Sequence, residues 1–169
     1  EKGSGLKIKG EYDLEKRFQV FIIESRENTS KWDIFPDYIG IIDHVNHEKK
    51  LAHFIVDRKI SGVLYFDEFQ MELNLADIVI LKIASHKNDR GIQYSALTCQ
   101  HSDTEISPSI AKKFQSTVRI SNGLGFTTND IFIDRPFVDA YQIEDGDNIE
   151  GLAVLNYNKK KNHVLRVHI

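Results

Sequence analysis

From residue 38 onward the chain is a succession of short apolar stretches cut by polar or Gly-containing turns, and this texture restricts it to an all-β fold. The spacing predicts strands at Tyr38 to Asn46, Leu51 to Asp57, Gly62 to Phe66, Ile78 to Ala84 and Ile92 to Cys99. The stretch 100–109 (QHSDTEISPS) is polar, holds a proline and has no period, so it reads as an interdomain linker. A second series follows at Phe114 to Ser121, Gly125 to Thr127, Asp130 to Asp134, Asn148 to Tyr157 and Val164 to Ile169. Each series has the length of one small barrel, and 169 residues leave room for two.

The two series also resemble each other. Gly62 to Phe66 is followed by Leu75-Ala76-Asp77-Ile78-Val79, and Asp130 to Asp134 by Asp145-Gly146-Asp147-Asn148-Ile149, with 70 residues from Asp77 to Asp147. A degenerate duplication of one five-strand unit accounts for this better than a single large sandwich does. Ahead of the first unit, Leu14, Phe18, Phe21, Ile22 and Ser25 fall at helical spacing behind Asp13 as N-cap, so a short helix is expected. A strand through Phe18 to Ile23 is the competing reading, because a short continuous apolar run fits either state. The expected division is a helical lead-in at 1–36, a first barrel at 37–105 and a second at 106–169.

Composition and charge narrow the function classes. Hydrophobic residues at 41% and charged residues at 28% describe a globular chain and exclude disorder, collagen-like repeats and coiled coil. The formal charge of −3 removes the simplest argument for nucleic-acid binding, a strongly basic balance. Divided by segment, it is 0 in the lead-in, −4 in the first barrel and +1 in the second, so the objection bears mainly on the first barrel. A single cysteine, Cys99, makes neither an internal disulfide nor a Cys-based zinc site, which favours a reducing, cytoplasmic setting. No apolar run approaches the ~18 residues of a membrane span. A chain opening at Glu1 without Met reads as a piece of a longer protein, with Glu1 to Gly5 partly foreign to it.

Two stretches resemble the cold-shock domain. In the first, Ile42-Asp43-His44-Val45-Asn46-His47-Glu48-Lys49-Lys50-Leu51-Ala52-His53-Phe54-Ile55 is followed by Gly62-Val63-Leu64-Tyr65-Phe66-Asp67-Glu68-Phe69. In the second, Thr117-Val118-Arg119-Ile120-Ser121-Asn122-Gly123-Leu124-Gly125-Phe126 is followed by Asp130-Ile131-Phe132-Ile133-Asp134. The resemblance implies two tandem five-stranded OB-type barrels spanning roughly residues 38–169. It also implies that the second and third strands of each present aromatic rings to single-stranded RNA or DNA. Any unpaired base has an apolar face that an exposed ring can stack, while Lys and Arg neutralise phosphate.

Carried over strand by strand, the resemblance makes Leu124, Phe126 and Phe132 the platform of the second barrel. Lys112, Lys113, Arg119, Arg135, Lys159, Lys160, Lys161 and Arg166 are its candidate phosphate contacts. Asp134 and Arg135 stand where the family has His and Phe, so the platform is reduced and carries a carboxylate. In the first barrel Phe54, Tyr65 and Phe66 are candidate stacking residues. Whether His53 or Phe54 faces outward depends on a one-residue slip, which exchanges the two faces of a strand. His44 stands where the family has Trp, and the surrounding acids suit a phosphate backbone poorly.

Rings on strands of such small barrels more often fill the core than bind ligand, and a lysine turn such as 158–162 also keeps strand edges from pairing. His44 and His47 have no third ligand set by motif, so no metal or cofactor is implied. Cys99 reads as an inert core thiol, and Asp67-Glu68 and Asp145-Asp147 as turn residues. No Gly-rich phosphate loop, nucleophile elbow or His-Glu-x-x-His motif occurs, so an enzyme is not expected. The leading expectation is a noncatalytic module for single-stranded nucleic acid acting mainly through the C-terminal barrel. The alternative is a protein-interaction or regulatory module that contacts other domains of a longer parent protein.

Overall fold

The computed structural model describes residues 4–26, 30, 32–89, 91–156 and 161–168. The lead-in is not helical. It is a two-stranded antiparallel hairpin of β1 (Leu6–Tyr12) and β2 (Phe18–Ser25). Asp13, expected as a helix N-cap, serves the hairpin turn instead. Its carboxylate accepts the N–H groups of Glu15 and Arg17 at 2.9 Å each, while Lys16 adopts a left-handed φ of 60°. The Arg17 backbone bond holds the Asp13 carboxyl below the usual Asp range. The helical spacing was carried by few residues, and the local turn chemistry together with the β-branched Val20, Ile22 and Ile23 favours strand.

The first unit contains β3 (Asp37–Asn46), β4 (Leu51–Ile55), β5 (Ser61–Tyr65), a 3-10 turn at Phe66–Phe69, β6 (Ile78–Asn88) and β7 (Gly91–His101). These form a five-stranded sheet in the order β5-β4-β3-β6-β7. Strand pairing leaves the expected five-stranded barrel open between β5 and β7, and these two edges approach each other. Gly62 of β5 lies so close to the Tyr94 carbonyl of β7 that any side chain there would collide with it. The second unit contains β8 (Ala111–Ser121), β9 (Leu124–Thr127), β10 (Ile131–Ile133), α1 (Arg135–Ala140), β11 (Asn148–Asn156) and β12 (Lys161–His168). Its strands close in the order β10-β12-β11-β8-β9, with β10 and β12 parallel.

Both units share one wiring. Three strands meander, and the fourth returns to pair with the first (β3 with β6, β8 with β11). The 70-residue repeat reappears as one turn built twice. Asp77 accepts the N–H of Asn74 on its carboxylate at 2.8 Å, and Asp147 accepts that of Glu144 at 2.7 Å. The carbonyls of Asp77 and Asp147 then accept from Ile42 and Val118 of each first strand, at 2.9 and 2.8 Å. The preceding residues, Ala76 and Gly146, both have positive φ, 70° and 95°. A Cβ at Gly146 would meet nothing within 4 Å, so only backbone strain opposes one there. Gly146→Ala is expected to cost about 1 kcal/mol in urea unfolding.

Each unit has its own core, centred on Ile42, Phe54, Leu73 and Leu81 in the first and on Val118, Ile131, Ile133 and Ile149 in the second. A third cluster joins them, made of Ile41, Ile55 and Ala76 with Ile110, Ala111 and Val154. It is built from apolar doublets. Ile41-Ile42, Phe54-Ile55 and Ala153-Val154 each send one side chain into the unit's own core and its neighbour into the shared cluster. Neighbouring strand residues point to opposite faces, so a buried doublet means that both faces are covered. Ile106, from the stretch read as a linker, packs against the same cluster, so that stretch is part of the junction. A fully buried Ile such as Ile41 contributes ~2–3 kcal/mol.

Cys99 is buried in the first core, which pushes its thiol up to about 12. An aromatic disulfide reagent is expected to leave the native thiol unmodified at neutral pH and to label it at once in denaturant. Rapid labelling of the native protein would contradict this placement. Among the described residues no helix is long and apolar enough to cross a membrane.

Candidate nucleic-acid interface

The outward face of the second unit is set by strand alternation. Along β8, Phe114, Ser116 and Val118 are buried, while Lys113, Gln115, Thr117 and Arg119 are exposed. Register then aligns Arg119 with Phe126 of β9, and Phe126 with Phe132 of β10. Phe126 is 40% exposed and Phe132 half-buried, and their rings lie 5.6 Å apart at 60°. Leu124, half-buried, sits one step along the same face opposite Ser121. The approach of β9 to β10 is helped by Gly125, where an added Cβ would press on Ile133 and Val118 at 3.0 to 3.2 Å.

The proposed cations do not form one stripe. Arg119 lies in the aromatic row, whereas Lys112 and Lys113 lie six or more residues down β8, about 20 Å away at strand rise. Those two lysines line a groove of about 480 Å³ at the junction of the units, beside Asp103 and Glu105. Arg135 folds back over the β8–β9 turn, donating from Nη2 to the Asn122 carbonyl at 3.0 Å, and its guanidinium lies against Gly123. It acts first as a clamp on that turn. Lys159 and Lys160 lie outside the described residues. Lys161 and Arg166 are placed on β12 by its backbone register alone.

In the first unit the slip is resolved by a bulge between Ile42 and His44. Phe54 points inward and is fully buried, and Phe66 is also core at 5% exposure, so neither can stack a base. Tyr65, half-exposed, faces outward with Val63, Leu51 and His53. The bulge also brings Asp43 to His53, whose Nδ1 pairs with the carboxylate. Sequence reasoning missed this pair, because a bulge shifts the alternation by one residue without a local signature. Where the second unit has Arg119, Phe126 and Phe132 in a row, the first has His44, His53 and Val63. The acids weighed at Asp145 and Asp147 are turn ligands, accepting the N–H groups of Ile120 and Glu144 at 2.7 Å each. Among the described residues no group of three His, Cys, Asp or Glu side chains is arranged to hold a metal ion.

Two OB-wired units in tandem, with outward faces formed by their second and third strands, define a tandem cold-shock/OB-like protein. Residues 32–96 match the model of S1/CSD-like domain 1 of the TOTE conflict systems, and residues 112–164 match that of S1/CSD-like domain 2. The matched stretches follow the order of the two domain models, in agreement with a tandem cold-shock/OB-like protein. Neither family description names an enzyme. No curated protein matches the chain. Among solved structures it is similar to Drosophila Unr CSD456, at 13% identity and a TM-score of 0.36, over 98% of this chain and 76% of that one. So distant a likeness bears on neither fold nor function.

Proposed function

We propose that this chain is a noncatalytic module that binds single-stranded RNA or DNA, with the second unit making most of the contacts. The observation that carries the reading is the row Arg119, Phe126 and Phe132. It sets a cation beside two accessible rings on the strands where OB barrels bind ligand. One ring stacks a base and the tilted second ring supports it or takes the next, while the guanidinium meets the intervening phosphate. With a formal charge of +1 in residues 106–169, Asp134 directly after β10 and Glu150 opposite Gln115, affinity is modest and rests more on stacking than on charge.

The test is a fluorescence titration of RNA and single-stranded DNA pools at several salt concentrations. Binding is expected at low ionic strength, weakening with a slope of ~0.7 in log salt per phosphate neutralised on a single strand. No binding to either pool at low salt rejects the reading.

The first unit supports a second reading for its own face. It carries −4, its outward His53 is engaged by Asp43, and Val63 and Tyr65 are exposed. Such a face suits a protein surface better than a phosphate backbone. It is the part of the chain that would dock on another domain of a longer protein.

A further inference from the structure

We infer that the β1–β2 hairpin is a self-association surface on which two copies of this chain pack face to face. The hairpin is amphipathic. Its register puts Leu6, Ile8, Gly10 and Tyr12 of β1 on the same face as Phe18, Val20 and Ile23 of β2, with Phe21 as the extra residue of a bulge. Lys7, Lys9, Glu11, Gln19, Ile22 and Glu24 occupy the other face. The apolar face is open: Leu6, Ile8, Tyr12, Phe18, Val20 and Ile23 are 42 to 71% exposed, and none belongs to any of the three core clusters. An isolated two-stranded hairpin is marginal in water, and so large an apolar face marks an interaction surface.

Three observations select a second copy as the occupant. The first is area. Six side chains offering roughly 100 Å² each give about 600 Å² per copy and about 1,200 Å² for a pair, the lower edge of a specific interface. The second is charge. Lys7, Lys9, Lys16 and Arg17 balance Glu11, Asp13, Glu15 and Glu24, so two hairpins meet without net repulsion even though the chain carries −3. The third is shape. Gly10 lies directly opposite Val20, and the place a Cβ there would take is filled by the Gln19 carbonyl and the Phe18 ring, so at this step β1 puts no side chain above the face while β2 puts one. A twofold axis running along the hairpin lays β1 over the partner's β2, which sets each Val20 over the other copy's Gly10, the position without a side chain. The same axis sets Ile8 over Ile23 and Tyr12 over Phe18, an isologous contact that closes at two copies.

The experiment is light scattering on the full chain across the micromolar range, wild type beside Val20→Lys and Ile8→Lys. The wild type is expected to have the mass of a dimer that dissociates on dilution, and both variants the mass of a monomer. Their thermal unfolding should match the wild-type monomer, because neither position contributes to a core cluster. A wild type that stays monomeric throughout, including one that instead sediments with lipid vesicles or binds a different protein, overturns the inference. So does a dimer that survives both substitutions.

Discussion

Replacing Phe126 and Phe132 together with alanine is expected to weaken single-strand binding at least thirty-fold and to leave the fold in place. Each base stacked on a ring is worth ~1–3 kcal/mol, so even the low end for two rings is about 2 kcal/mol, close to a thirty-fold change in Kd. Phe126 is 40% exposed and Phe132 half-buried, and neither belongs to the second core cluster, so the barrel keeps its interior. Arg119→Gln separates the two components of the row. It should lower affinity less and reduce the salt slope by ~0.7, since it removes one phosphate contact and no ring. Titration of the three proteins against one oligonucleotide, with circular dichroism as the check on folding, gives the answer. Unchanged affinity in the double variant would remove the aromatic row from the interface.

The second large effect is on stability. Phe54→Ala is expected to cost ~3–5 kcal/mol, because it empties a fully buried position at the centre of the first core. Domains of this kind have about 5–15 kcal/mol in hand, so the first unit should unfold well before the second. Tyr65→Ala, at a half-exposed position on the outward face of the same sheet, should stay within about 0.5 kcal/mol. Chemical denaturation of the two variants distinguishes the strand faces directly. The reverse order of effects would mean that β4 is turned over.

Much of this fold is legible in the amino-acid sequence. Short alternating runs and Gly-containing turns identify strands because the pleat has a period of two and turns need special backbone angles. The 70-residue recurrence of Ala76-Asp77 and Gly146-Asp147 was visible as well, and it proves to be the same hydrogen-bonded turn. The cold-shock-like pattern placed Phe126 and Phe132 on neighbouring strands, where they meet in direct register. The lead-in was less legible. A run such as Phe18 to Ile23 is apolar at both periods, and the Asp13 turn with its pairing to Leu6–Tyr12 decides for strand.

The remaining differences share one physical origin. The amino-acid sequence by itself determined the local elements, their repeat and the residue types on offer, because propensity, alternation and turn chemistry act within a few neighbouring residues. Tertiary structure decided which face those residues present and what they meet there. A bulge after Ile42 turns Phe54 inward and brings Asp43 to His53. Folding of the chain leaves Arg135 over the Asn122-Gly123 turn and Lys112 beside Asp103, although the cold-shock resemblance grouped both with Arg119 as phosphate contacts. The doublets Ile41-Ile42, Phe54-Ile55 and Ala153-Val154 acquire their meaning only when a second unit covers the outer member of each. Burial, register and ion pairing depend on contacts between distant residues, and a single strand's sequence does not carry them.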